Sequence, residues 1–184
     1  MANRWWWFNR RKFILGIQFW RILIMAVTAT PVFTQTINVG SLNAVLSTAM
    51  TNTTAFDGTM AAGTAMALVF TAGADGSRID QIMCRLASTN GATASGTSAA
   101  TVVRFWINNG SANTTAGNNI FLGEVAIPAT SVTALGTSAL TTYPLTIPNV
   151  GLNIPSGYKI YAGTTVAAGG TNIAIAVSAF GGNY

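Results

Sequence analysis

Asp75-Gly76 stands between two apolar runs, Ala67-Leu68-Val69-Phe70 and Ile79–Leu86, and no other stretch restricts the fold of this chain as much. Both turn residues reach positive φ at little cost, and the turn they form matches strand twist, so the stretch predicts a β-hairpin. Before the turn, Met66, Leu68 and Phe70 share one side. After it, Ile82, Cys84 and Leu86 look one way with Asp80 at the edge, while Ile79 and Met83 share the other side with Gln81 and Arg85. That period of two is a strand's. Its mixed polar and apolar face suits a contact with another subunit, and equally the half-wet strand of a monomer.

The remaining sequence repeats this pattern with different turns. Strands are predicted over Val32–Val39, Leu42–Met50, Met60–Phe70, Ser77–Ala87, Ala100–Asn108, Phe121–Ile127, Thr141–Leu145, Tyr158–Val166 and Ile173–Phe180. The clearest is Ala100–Asn108, with Val103, Phe105 and Ile107 on one face and Val102, Arg104 and Trp106 on the other. Thr89–Ser98 and Asn108–Asn119 are polar loops, and Ile154-Pro155-Ser156-Gly157 is a tight turn. Thr, Ser, Ala, Gly and Asn occupy the positions that Lys and Glu fill on surface helices, which points to an all-β protein. Short strands separated by turn signals predict a single β-sandwich of jelly-roll type over residues 31–184, with a basic and aromatic extension over residues 1–30.

The net charge of +5 suggests nucleic acid, but its distribution does not. Arg4, Arg10, Arg11, Lys12 and Arg21 all precede Met25, whereas the body balances Arg78, Arg85, Arg104 and Lys159 against Asp57, Asp75, Asp80 and Glu124. A neutral body has no electrostatic footprint for phosphate. The extension itself is read in several ways. Phe13–Val27 is short and interrupted for a membrane span and only partly fits a signal peptide. As a helix, Phe13, Ile17, Trp20 and Ile24 make one stripe, suited to a membrane surface or to an arm docked on a partner. Composition changes at Met25, so residues 1–24 also fit a dispensable arm or a start codon placed too far upstream, and they are expected to stand outside the sandwich.

Catalytic chemistry finds little to work with. General acid–base catalysis wants a His or two paired carboxylates, and the chain has no His and four acids. Asp57 and Asp75 precede Gly and serve turns; Asp80 and Glu124 could meet across a sheet, but Arg78, Arg85 and Arg104 are equally available to them. Phosphate-binding glycine motifs are missing, and one Cys with no His predicts neither disulfide nor metal cluster. Cys84 reads as a small buried hydrophobe. Trp106 could stack on a sugar, although a core-edge or interface role suits it better. The expectation is a protein that is not an enzyme and needs no cofactor.

Four segments carry a resemblance: Val69-Phe70-Thr71-Ala72-Gly73-Ala74-Asp75-Gly76-Ser77-Arg78-Ile79-Asp80, Val103-Arg104-Phe105-Trp106-Ile107-Asn108-Asn109-Gly110, Ile154-Pro155-Ser156-Gly157-Tyr158, and Ala179-Phe180-Gly181-Gly182-Asn183-Tyr184. In this order they resemble small virion proteins of tailed bacteriophages, from about Met25 to the end; the first 24 residues depart from that pattern. The resemblance implies a cement or decoration protein on the capsid surface, made in the host cytoplasm, bound to the major capsid protein and assembled as a homotrimer. The alternative is a tail or fibre module that binds a host surface glycan. Arg78, Asp80, Arg85, Arg104, Trp106 and Glu124 are the candidate interface residues, because most of the body's charge sits on predicted strands and not at loop tips.

Overall fold

A computed structural model describes residues 36–40, 44–50, 66–88, 94–132, 141–147 and 151–184. All of them belong to the second of the chain's two units, Phe33–Tyr184. The extension and Asp57 lie outside the described residues. Among the described residues twelve strands follow one another: β1 (Thr36–Val39), β2 (Ala44–Leu46), β3 (Ala67–Thr71), β4 (Ser77–Ser88), β5 (Gly96–Thr97), β6 (Thr101–Asn108), β7 (Asn119–Ile127), β8 (Ser131–Val132), β9 (Thr142–Pro144), β10 (Leu152–Ile154), β11 (Lys159–Thr164) and β12 (Ile173–Asn183). Every named pairing is antiparallel.

Two sheets pack as the expected β-sandwich. Sheet A runs β1-β12-β4-β10, with β2 also on β12 and β9 also on β4; sheet B runs β3-β11-β6-β7. Ile82, Cys84, Leu86, Ile175 and Val177 from sheet A meet Phe70, Val103, Phe105, Val125 and Ile160 from sheet B in one core. Fully burying each of these larger apolar side chains contributes about 1.5–3 kcal/mol. Alternation on β6 follows the sequence expectation, with Val103 and Phe105 inward and Arg104 and Trp106 outward. The short strands β5, β8 and β10 were not legible in the sequence.

The predicted hairpin is not there. β3 pairs with β11 in sheet B, whereas β4 pairs with β12, β9 and β10 in sheet A. The turn at Asp75-Gly76 forms as its chemistry requires, with Gly76 at φ 90° and its N–H donating to the Gly73 carbonyl at 3.1 Å. It connects two sheets. Thr71 pairs with Lys159 and Ser77 with Ile154, so the chain crosses between sheets alongside the returning turn before β11. Two turns chosen for tightness thus serve as sandwich corners.

Bulges account for the faces that alternation missed. On β4, Gln81 lies opposite Phe180 and Ile79 opposite Gly181, leaving Asp80 as an extra residue. Ile79 therefore turns inward with Ile82, not outward with Met83 as its spacing predicts. A similar extra residue, Val69, separates Phe70, which faces the core, from Leu68, which faces out. Each bulge inserts one residue and resets the period of two.

Hydroxyls and amides close the ends of the sandwich. Thr101 Oγ1 donates to the Val166 carbonyl at 2.9 Å and accepts from the Val166 N–H at 3.0 Å. Buried Asn108 donates to Asn119 Oδ1 at 2.9 Å, and Asn119 in turn donates to the carbonyls of Asn113 and Thr115. The predicted loop between Asn108 and Asn119 is thereby held by its own amides, around a short 3-10 turn at Ala116–Asn118. This is where the Thr- and Asn-rich composition goes: backbone groups at strand ends need partners, and short polar side chains supply them.

Cys84 lies in the core as expected, and burial pushes its thiol up from the ordinary 9.0 to about 12. Between those values the folded protein keeps a proton that the unfolded chain has lost. The stability from this group is therefore intact below pH 9 and declines as pH rises toward 12. Relative to pH 8, the protein should lose roughly 1 kcal/mol by pH 10 that a Cys84→Ala variant does not lose. Denaturant titrations of both proteins across this range check it; parallel declines would contradict it.

Candidate interaction surface

The outward face of sheet A is built in four rows set by strand register. Ile37 lies beside Gly182 and Arg78; Val39 beside Phe180 and Gln81; Ser178 beside Met83 and Pro144; Val45 beside Ala176, Arg85 and Thr142. Ile37 is 88 % exposed, and Val39, Val45 and Phe180 are 36–40 % exposed. Single exposed apolar residues need no explanation, but four on neighbouring rows of one face make a patch. The charges around it are sparse. Arg78 Nε donates to Asp80 Oδ1 at 2.7 Å, with both side chains about half exposed, so the pair contributes at most about 1 kcal/mol to stability. Arg85 is exposed in the last row.

The other three candidates lie on sheet B. Arg104 Nε donates to Glu124 Oε2 at 3.2 Å across the β6–β7 ladder, with Arg104 mostly covered and Glu124 half exposed. In the next row Leu68, Tyr161, Trp106 and Phe121 follow one another over all four strands. Trp106 meets Phe121 edge-to-face at 6.0 Å and is only 2 % exposed. Its ring is thus closed to a sugar at the surface. Among the described residues its indole N–H has no hydrogen-bond partner, an uncommon state for a buried donor.

The six candidates therefore form two groups on different sheets. Arg78, Asp80 and Arg85 flank the apolar patch of sheet A; Arg104, Trp106 and Glu124 belong to the aromatic row of sheet B. Asp80 and Glu124 do not meet: each carboxylate takes its own arginine, on its own sheet. Sequence reasoning missed Ile37, Val39, Val45 and Phe180. The signal for Phe180 was present, since the alternation that turns Ile173, Ile175 and Val177 inward puts residue 180 on the opposite face. Among the described residues no three of His, Cys, Asp and Glu come together as metal ligands, and no helix is long and apolar enough to cross a membrane.

No family model, no curated protein and no solved structure matches the chain.

Proposed function

We propose that the protein is a structural component of a phage virion, a cement or decoration protein that binds the major capsid lattice and stabilises it. The observation that carries this reading is the outward face of sheet A, where Ile37 is exposed and Val39, Val45 and Phe180 are partly exposed between two arginines. Apolar area supplies most of the energy of such a contact, and sparse charges set its register. The resemblance of four segments to small virion proteins supports the same assignment. The paired crossings between the sheets support a jelly-roll winding. On this reading the protein acts without catalysis, cofactor or nucleic acid, and its place is the capsid surface.

Binding to purified capsids that lack the protein tests the proposal. The protein should co-sediment saturably and raise the temperature at which the particles come apart. Phe180→Asp, at a partly exposed position, should weaken binding at least about tenfold while leaving the fold intact. Failure to bind capsids, with binding instead to host surface polysaccharide, would replace this reading with the tail or fibre module.

A further inference from the structure

Three of the described edge strands carry a bulge, proline or charge that discourages strand addition. β3 has its bulge at Val69. β7 has an extra residue at Leu122, carries Glu124 and runs into Pro128. At the far edge of sheet A, β9 ends on Pro144 and β10 is three residues long before Pro155. These are devices by which sheets avoid joining edge to edge. β1 has none of them. Its sequence, Thr-Ile-Asn-Val, is uncharged, its register on β12 is regular, and among the described residues no strand lies on its other side.

The ladder also fixes which backbone groups of β1 are open. Gly40 donates its N–H to the Ala179 carbonyl at 2.9 Å, so the even-numbered residues of β1 bond to β12. Ile37 and Val39 therefore turn both N–H and C=O away from the sheet. Their side chains lie on the outward face and are exposed, Ile37 by 88 %.

We propose that β1 is a self-association edge, pairing antiparallel with β1 of a second copy of this chain about a twofold axis through Asn38. That register puts Ile37 opposite Val39 of the second copy and Val39 opposite its Ile37. All four residues then present their open backbone groups to one another, making about four inter-chain hydrogen bonds. Odd residues meet odd residues, so no side chain changes face. The second copy is the occupant because β1 is complementary to itself in backbone pattern and has no charge to repel its own image. Of the other described edges of a second copy, β3, β7 and β9 are bulged or proline-bearing and β2 and β10 are only three residues long, which disfavours a head-to-tail contact. Pairing also brings Ile37, Val39 and Phe180 of both copies onto one continuous outward surface. A four-residue edge buries less than the roughly 1,200 Å² of a standard stable contact, so the dimer is reversible. The symmetry is twofold, in contrast to the trimer implied by the resemblance, and the inference does not depend on capsid binding.

Sedimentation equilibrium of the full chain, without capsids, over a wide concentration range tests it. The mass should rise from 19.1 kDa toward twice that value as concentration increases. Ile37→Lys places a charge on the open edge, and Ile37→Pro removes an N–H that makes no bond to β12; both should hold the protein at monomer mass. In amide exchange followed by NMR, the Ile37 and Val39 N–H groups should slow several-fold with concentration in the parent protein and not in Ile37→Lys. A monomer at all concentrations would overturn the proposal. So would a dimer or trimer whose mass neither variant changes, or Ile37 and Val39 amides that stay unprotected in the dimer. Because capsids are absent, each of these results leaves the capsid-binding proposal to its own test.

Discussion

Gly181→Val is expected to destabilise the sandwich by roughly 3 kcal/mol or more, because the site has no space for a side chain. A Cβ at 181 would run into the Arg78 carbonyl oxygen and come within 2.9 Å of Ile79 Cα and 3.0 Å of the Arg78 carbonyl carbon. These are backbone atoms, which cannot swing aside as a flexible side chain would. They belong to the β4 bulge that turns Ile79 inward, so the substitution acts on the register of the long β4–β12 pairing. Gly117, with nothing within 4 Å of its Cβ position, is the control: Gly117→Ala should change stability by no more than about 0.5 kcal/mol. Urea titrations should show a lower midpoint for Gly181→Val with the slope preserved. Equal midpoints for the two variants would contradict the assigned bulge.

Asn183→Ala should cost about 1–3 kcal/mol, the desolvation penalty of one buried donor left without its acceptor. Asn183 Oδ1 accepts from Ser77 Oγ at 2.6 Å and from Asn38 Nδ2 at 2.7 Å. Ser77 Oγ itself accepts the Gly73 N–H at 2.9 Å, and Ser77 is fully buried. One carbonyl oxygen thus joins β1, β12 and the crossing between sheets. Removing it leaves the buried Ser77 hydroxyl without an acceptor, whereas Asn38 Nδ2 keeps the Thr71 carbonyl at 3.3 Å. Asn183→Asp retains the acceptor and should recover most of the loss. Thermal and denaturant unfolding of the three proteins check this, and an Asn183→Ala protein within about 0.5 kcal/mol of the parent would contradict it.

These two positions also show where reading the sequence succeeds and where it stops. Alternation on β6 was legible because Val103, Phe105 and their outward neighbours Arg104 and Trp106 lie in an unbroken run. On β4 it was legible from Ile82 to Leu86 and failed at Ile79. The bulge that re-aims Ile79 depends on Gly181, about a hundred residues away, and nothing local records it. The Asp75-Gly76 turn was recognised, but turn chemistry is the same whether the next strand lies alongside or in the opposite sheet. Here Thr71 lies opposite Lys159 of β11, in the other sheet from β4. Candidate charges were placed on strands correctly, yet their division between two sheets follows from strand order. The exposed edge at Ile37 is also a product of strand order, since four uncharged residues read alike whether a strand is central or at the rim.

The number of copies of this chain in each particle, counted by quantitative mass spectrometry of purified virions, tests the assignment most directly. A cement or decoration protein on the capsid lattice should be present in numbers comparable with the major capsid protein. A count of only a few per particle, as a tail component gives, or absence from the particle, would contradict it.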